Sequence, residues 1–192
     1  MLLLQTAAYA RESGWVVLYI PRGMYTFRRN LKCHGADIIA SEWIESKTEY
    51  AYNPSTKLFN QPALAHSILS SLLTTNPTTL SSIKTKTQIG KYKSNTSISE
   101  ICKSPKSPES VEILEGVLKT LEESDRPVLV AVDEVQALFS TSGVRTPDFR
   151  VLESYDLSTP NLFLEYLTGK KSFVCPPLPF PPLLYSCRDA NE

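Results

Sequence analysis

The chain has 192 residues, with 20 Lys and Arg balanced by 20 Asp and Glu, a hydrophobic content of 42% and an aromatic content of 9%. This apolar supply suffices for one globular domain with a real core, which excludes both a disulfide-stapled miniature and a wholly disordered chain. A net charge of zero argues against a free-standing nucleic-acid binder, so any RNA contact must come from local basic patches.

Leu3, Leu4, Ala7, Ala8 and Ala10 recur at helical spacing, and Gly14 stands where a left-handed cap belongs, which predicts a helix from the start to about Ser13. The opening has no basic leading region and its apolar run breaks at Gln5, so it is not a signal peptide. No stretch reaches the roughly 20 apolar residues of a membrane span. The sequence therefore reads as opening inside a folded element. Trp15-Val16-Val17-Leu18-Tyr19-Ile20, closed by Pro21, is a continuous apolar run and predicts a strand buried on both faces.

Residues 22–60 are irregular and read as an excursion, with Arg22, Arg28, Arg29 and Lys32 clustered near its front. Pro62 suits a first helical position and Leu64, Ile68 and Leu72 repeat every four residues, so a helix runs to about Thr74, where Asn76-Pro77 stops it. Between Thr78 and Ser107 the chain is rich in Ser and Thr and carries Lys84, Lys86, Lys91, Lys93, Lys103 and Lys106 against the single acid Glu100. That composition predicts a solvated or disordered insertion able to order on a phosphate-rich partner. A third helix is expected to open at Pro108 with Ser107 as cap, placing Val111, Leu114, Val117, Leu118 and Leu121 on one face. Glu109, Glu112 and Glu115 fall in its first turns, where the helix dipole favours anions.

Val128-Leu129-Val130-Ala131-Val132 then ends abruptly in Asp133-Glu134. In parallel sheets ligands bind beyond the carboxyl ends of the strands, so a buried strand tipped with two acids aims them at a crevice. This is the pattern of a Walker B box, in which the Asp helps hold magnesium and a following Glu can polarise water. The alternative is a strand meeting a polar turn. The phosphate loop G-x-x-x-x-G-K-[ST] is absent, and the seven glycines are too scattered to form one.

Cys33, Cys102, Cys175 and Cys187 lie singly, without a CxxC pair, and read as reduced packing thiols. His34 and His66 are too few and too separated for a metal centre or a His-activated nucleophile.

Several blocks in one order carry a resemblance: Gly14-Trp15 through Pro21-Arg22, the Gln61-Pro62 helix entry, Val128 to Phe139, Thr146-Pro147-Asp148-Phe149, and Phe163-Leu164-Glu165-Tyr166-Leu167-Thr168-Gly169-Lys170-Lys171. Together, from about Leu2 to Phe173, the chain resembles the mitochondrial small-ribosomal-subunit family of death-associated protein three. The resemblance implies an α/β fold, a partial P-loop NTPase-like (AAA+-related) parallel sheet with flanking helices. It also implies a mainly structural role in the head of the mitochondrial small subunit, within the matrix. Intact family members bind GTP or GDP with magnesium. By position, Asp133 would be the acid that holds magnesium through water, with Glu134 beside it.

Two departures qualify the transfer. In the family the phosphate loop ends just before the segment matched by Met1 to Gln5, and after Ser172-Phe173 the family continues into a core strand. Here five prolines fall within Pro176 to Pro182, which no central strand tolerates. The chain therefore reads as a truncated or mis-assembled product: a partial domain over residues 1–173 with a basic insertion at about 78–107, then a divergent proline-rich tail over 174–192.

The expected function is a structural component of the mitochondrial small ribosomal subunit that is not an enzyme. Its partners would be mitochondrial ribosomal proteins and small-subunit rRNA, with no membrane and no DNA. RNA contact is assigned to Arg22, Arg28, Arg29, Lys32, Lys84, Lys86, Lys91 and Lys93, which would touch phosphate without reading sequence. No cofactor is expected for this chain. The competing readings are an AAA+-like GTP- or ATP-binding switch or hydrolase, and an interaction protein whose Pro176-x-x-Pro179 and Pro179-x-x-Pro182 dock on SH3-type grooves.

Overall fold

The computed structural model describes residues 2–20, 50–133, 135–139, 141–174 and 187–188. The basic cluster Arg22, Arg28, Arg29 and Lys32, the pair Cys33-His34, Glu134 and the proline tract all lie outside the described residues.

Helix α1 (Leu2–Glu12) leads into strand β1 (Val16–Ile20) through Gly14, whose φ of +79° is the left-handed conformation its position predicts. Strand β1 pairs in parallel with β4 (Val128–Val132), in register from Val16 opposite Val128 to Ile20 opposite Val132. Side-chain alternation divides the pair between two cores. Val17, Leu129 and Ala131 meet Ala10 and Ala7 of α1 on one face. Val16, Leu18 and Ile20 face the larger core on the other. Helices α2 (Pro62–Thr75) and α5 (Ser110–Glu122) cover that second face, with Leu64, Ile68, Leu69 and Leu72 packed with Leu114, Val117, Leu118 and Leu121. A parallel pair flanked by helices on both faces is the mixed α/β arrangement anticipated from the buried β1 run.

Four details differ from the sequence expectation. The stretch read as an excursion closes with an antiparallel hairpin, β2 (Ala51–Asn53) and β3 (Leu58–Asn60), whose turn places Lys57 at a φ of +59°. The third helix starts at Ser110, not Pro108: residues 108–109 form a turn, and the Ser110 hydroxyl accepts from the Ser107 N–H at 3.0 Å.

The third difference is larger. Residues 78–107 are an ordered part of the core and not a solvated loop. They contain α3 (Thr79–Ser82) and α4 (Ile98–Cys102), and they bury Leu80, Ile83, Ile89, Ile98, Ile101 and Cys102 against α2 and α5. Composition misleads here because the few large apolar residues all point inward while every lysine points out. Ser97 caps α4 by accepting from the Glu100 N–H at 3.3 Å.

Beyond β4, a 3₁₀ turn (Val135–Phe139) leads to the antiparallel pair β5 (Thr141–Arg145) and β6 (Val151–Glu153). The fourth difference is helix α6 (Ser158–Leu167), which the sequence patterning does not resolve and which buries Leu162, Phe163 and Tyr166. A bridge between Phe59 and Leu157 holds the β2–β3 hairpin beside the start of α6. The Tyr166 ring stacks on Phe173 with centroids 4.6 Å apart, at the start of β7 (Phe173–Val174). Strand β7 pairs in parallel with β8 (Cys187–Arg188). No described helix is long and apolar enough to cross a membrane.

Candidate functional site

Asp133 follows directly from β4, and its N–H donates to the Ile20 carbonyl at 2.9 Å, extending the parallel ladder by one residue. The backbone is therefore held where the two strands end together, and the half-buried Asp133 stands at their carboxyl end as the acid-tipped strand predicts. Hard cations need several oxygen ligands, and a magnesium–nucleotide needs backbone N–H groups and a Lys to cradle its phosphates. No group of three or more His, Cys, Asp or Glu side chains among the described residues is arranged to hold a metal. The described residues thus supply one carboxylate at a strand end, which does not fit a magnesium–nucleotide group.

The insertion lysines have a better defined setting. Lys84 bridges to Ser97 across an irregular antiparallel loop. The Thr85 N–H donates to the Thr96 carbonyl at 2.9 Å, and the Asn95 N–H donates to the Thr85 carbonyl at 2.7 Å. The hydroxyls of Thr85 and Thr96 both donate to the Lys93 carbonyl, at 3.3 and 2.7 Å. Farther along, Ile89 and Tyr92 exchange backbone hydrogen bonds of 3.0 and 2.8 Å around the tip. The base of this loop is thereby rigid, while Lys84, Lys86, Lys91 and Lys93 are all exposed on it.

Their duties differ. The Lys86 ammonium donates to the Glu123 carbonyl at 2.8 Å, satisfying a helix-end acceptor of α5. The Lys91 ammonium lies 5.5 Å from the Tyr92 ring centroid. Lys84 and Lys93 form no ion pair among the described residues. Lys86 touches α5 just before β4 begins, whereas Asp133 stands at the far end of that strand, so the lysine loop and the acid do not form one site.

Sequence reasoning missed a second polar assembly. Glu112 and Glu115 of α5, read there only as partners of the helix dipole, line a cavity with Glu165 of α6 and the β2–β3 turn. The Lys171 ammonium sits 2.7 Å from Glu165 and 3.9 Å from Glu115, joining the two helices. The resembling block around Glu165 and Lys171 was the available signal, yet only the fold reveals that it meets α5.

A model of the family described as mitochondrial ribosomal death-associated protein 3 matches residues 38–175, well over half of the chain. The small ribosomal subunit protein mS29 of Neurospora crassa is 25% identical over 178 residues, covering 88% of this chain and 34% of that protein. The chain spans about a third of the length of this curated relative. Ordered blocks that resemble the family, the acid-tipped parallel strand and the match over residues 38–175 agree: the chain belongs to the mitochondrial ribosomal death-associated protein 3 family.

Proposed function

We propose that the chain acts as a structural component of the mitochondrial small ribosomal subunit, in the matrix, touching small-subunit rRNA and neighbouring ribosomal proteins and catalysing no reaction. Family membership carries this reading, together with a relative whose name is that of a small-subunit protein. The geometry adds a candidate RNA contact: Lys84, Lys91 and Lys93 stand exposed on a loop whose backbone is internally hydrogen-bonded, so ordering it on phosphate costs little entropy. Arg22, Arg28, Arg29 and Lys32 belong to the same proposal on sequence grounds.

The test is reconstitution of the chain onto mitochondrial small subunits depleted of the family protein, followed by co-sedimentation over a salt series. The triple variant Lys84→Gln, Lys91→Gln, Lys93→Gln should associate more weakly, with a salt slope shallower by about one unit for each phosphate that is no longer neutralised. An unchanged slope and affinity would refute the assignment.

Asp133, at the carboxyl end of a buried parallel strand, favours a second reading as a nucleotide-binding switch. Titration calorimetry with GTP and magnesium discriminates. The structural reading expects no micromolar binding by this chain, and micromolar binding abolished by Asp133→Asn would establish the switch.

A further inference from the structure

Thr146-Pro147-Asp148-Phe149 turns β5 into β6, and the backbone of this tip is tied to itself. The Thr146 N–H donates to the Arg150 carbonyl and the Phe149 N–H to the Thr146 carbonyl, both at 2.9 Å, while the Arg150 N–H donates to the Thr146 hydroxyl at 3.1 Å. On this fixed tip Phe149 holds a φ of +62°, a left-handed conformation that a bulky side chain resists, and its ring is 79% exposed. Burial offsets neither the strain nor the exposure. Backbone held in such a conformation concentrates where a protein meets a ligand.

The second observation is the chemistry beside that ring. The Arg145 guanidinium donates to the Phe149 carbonyl at 3.3 Å and forms no ion pair among the described residues, so most of its N–H donors stay available. Arg150 is exposed too, 3.6 Å from Asp156. The Tyr50 hydroxyl donates to the Arg145 carbonyl, which sets an exposed tyrosine behind the same arginine. Tyr50 and the exposed Tyr52 both pack on Phe59, with centroids 6.0 and 5.1 Å away. Exposed rings and guanidinium groups thus share one face of the β5–β6 and β2–β3 hairpins.

We propose that the β5–β6 hairpin tip stacks an unpaired base of RNA on Phe149, with the Arg145 guanidinium meeting the same nucleotide. An unpaired base needs a π-face to lie on and N–H donors for its edge or its phosphate, and the tip supplies both on a backbone already ordered. Residues 145–150 carry two arginines against Asp148 alone, so their charge is complementary to RNA. A protein pocket is disfavoured because an aromatic anchor at a protein interface is ringed by neighbours that exclude water, whereas Phe149 stands among Arg145, Thr146, Asp148 and Arg150. The inference rests on the RNA-contacting reading for its partner. It shares no residue with the lysine loop, and it acts through a base where that loop meets phosphate.

The experiment follows binding of the full chain to labelled oligouridylate, to oligoadenylate and to the duplex of the two, by fluorescence anisotropy over a salt series. The single strands should bind saturably and more tightly than the duplex, whose bases are already stacked. Phe149→Gly should weaken single-strand binding about tenfold and leave the salt slope intact, since a stacked base and not a phosphate contact is lost. Its thermal midpoint should stay at or above that of the parent, because glycine adopts a positive φ without strain and the exposed ring contributes little packing. Phe149→Tyr should keep the affinity. Absence of single-strand binding, unchanged affinity in Phe149→Gly, or duplex binding as tight as that of the single strands would overturn the proposal. Loss of small-subunit association by Phe149→Gly at unchanged oligonucleotide affinity would also overturn it, assigning the tip to a protein neighbour. The triple variant of Lys84, Lys91 and Lys93 keeps the two contacts apart: it should flatten the salt slope and preserve the effect of Phe149→Gly, so either assignment can fail while the other stands.

Discussion

The side-chain amide of Asn76 pairs with the backbone of Val17 as a neighbouring strand would: its Oδ1 accepts from the Val17 N–H at 2.7 Å, and its Nδ2 donates to the Val17 carbonyl at 2.8 Å. Strand β4 occupies the other edge of β1, where Val16 donates to the Pro127 carbonyl and Ile20 accepts from Asp133. Asn76 therefore closes the outer edge at its centre, and the Ser71 hydroxyl, donating to the Tyr19 carbonyl at 3.3 Å, supports it one pleat on. The same Nδ2 donates to the Leu72 carbonyl, so the residue that ends α2 also fastens the helix to the sheet.

Replacing Asn76 by Ala leaves the Val17 N–H and carbonyl unpaired at a position of 0% exposure. At about 1–3 kcal/mol for each of the two stranded groups, the variant should lose roughly 2–6 kcal/mol, read as a lower urea midpoint at unchanged m-value. A loss below about 0.5 kcal/mol would show that the pairing contributes little.

Gly116 lies inside α5, where Ala would ordinarily gain about 1 kcal/mol of helix propensity. A Cβ there would lie 2.7 Å from Ile89 Cγ2 and 2.9 Å from Ile89 Cγ1, and Ile89 is buried. Overpacking of this kind costs about 1–3 kcal/mol, so Gly116→Ala should be net destabilising in the parent chain. In an Ile89→Ala background the clash is gone and the same change should stabilise. A double-mutant cycle measured by urea unfolding reads the coupling directly.

Cys102 is 2% exposed, and burial pushes its thiol up from 9.0 to about 12. The unfolded thiol ionises first, so the stability linked to Cys102 is complete below about pH 9 and is lost as the pH rises towards 12. The loss is on the order of 1 kcal/mol per pH unit within that window. Urea midpoints at pH 8, 9 and 10 should fall more steeply for the parent than for Cys102→Ala. Peptide-resolved alkylation at neutral pH should modify Cys102 only as fast as the chain unfolds.

The parts of this protein legible in its sequence are those where one local pattern has one physical outcome. A continuous apolar run rich in β-branched residues reads as a core strand, so β1 and β4 were readable, as was the place of Asp133 at the strand end, although β4 is only half-buried at Val128, Val130 and Val132. Pro62 and Asn76-Pro77 bracket α2 because proline lacks the N–H that a helix interior needs, and Gly14 tolerates a positive φ that other residues resist.

Tertiary structure decided what depends on partners distant in the chain. The lysine-rich segment 78–107 reads as solvated from its composition, and only the inward placement of Leu80, Ile98 and Ile101 against α2 and α5 makes it core. Asn76 looks like a helix stop until its amide is found on Val17, 59 residues away. Glu112 and Glu165 are ordinary helix acids until the fold sets α5 beside α6. Periodicity encodes which face of an element is apolar, but it carries no record of which other face it meets. Long-range packing and the pairing of buried polar groups settle that, and with it the place of both candidate contact surfaces.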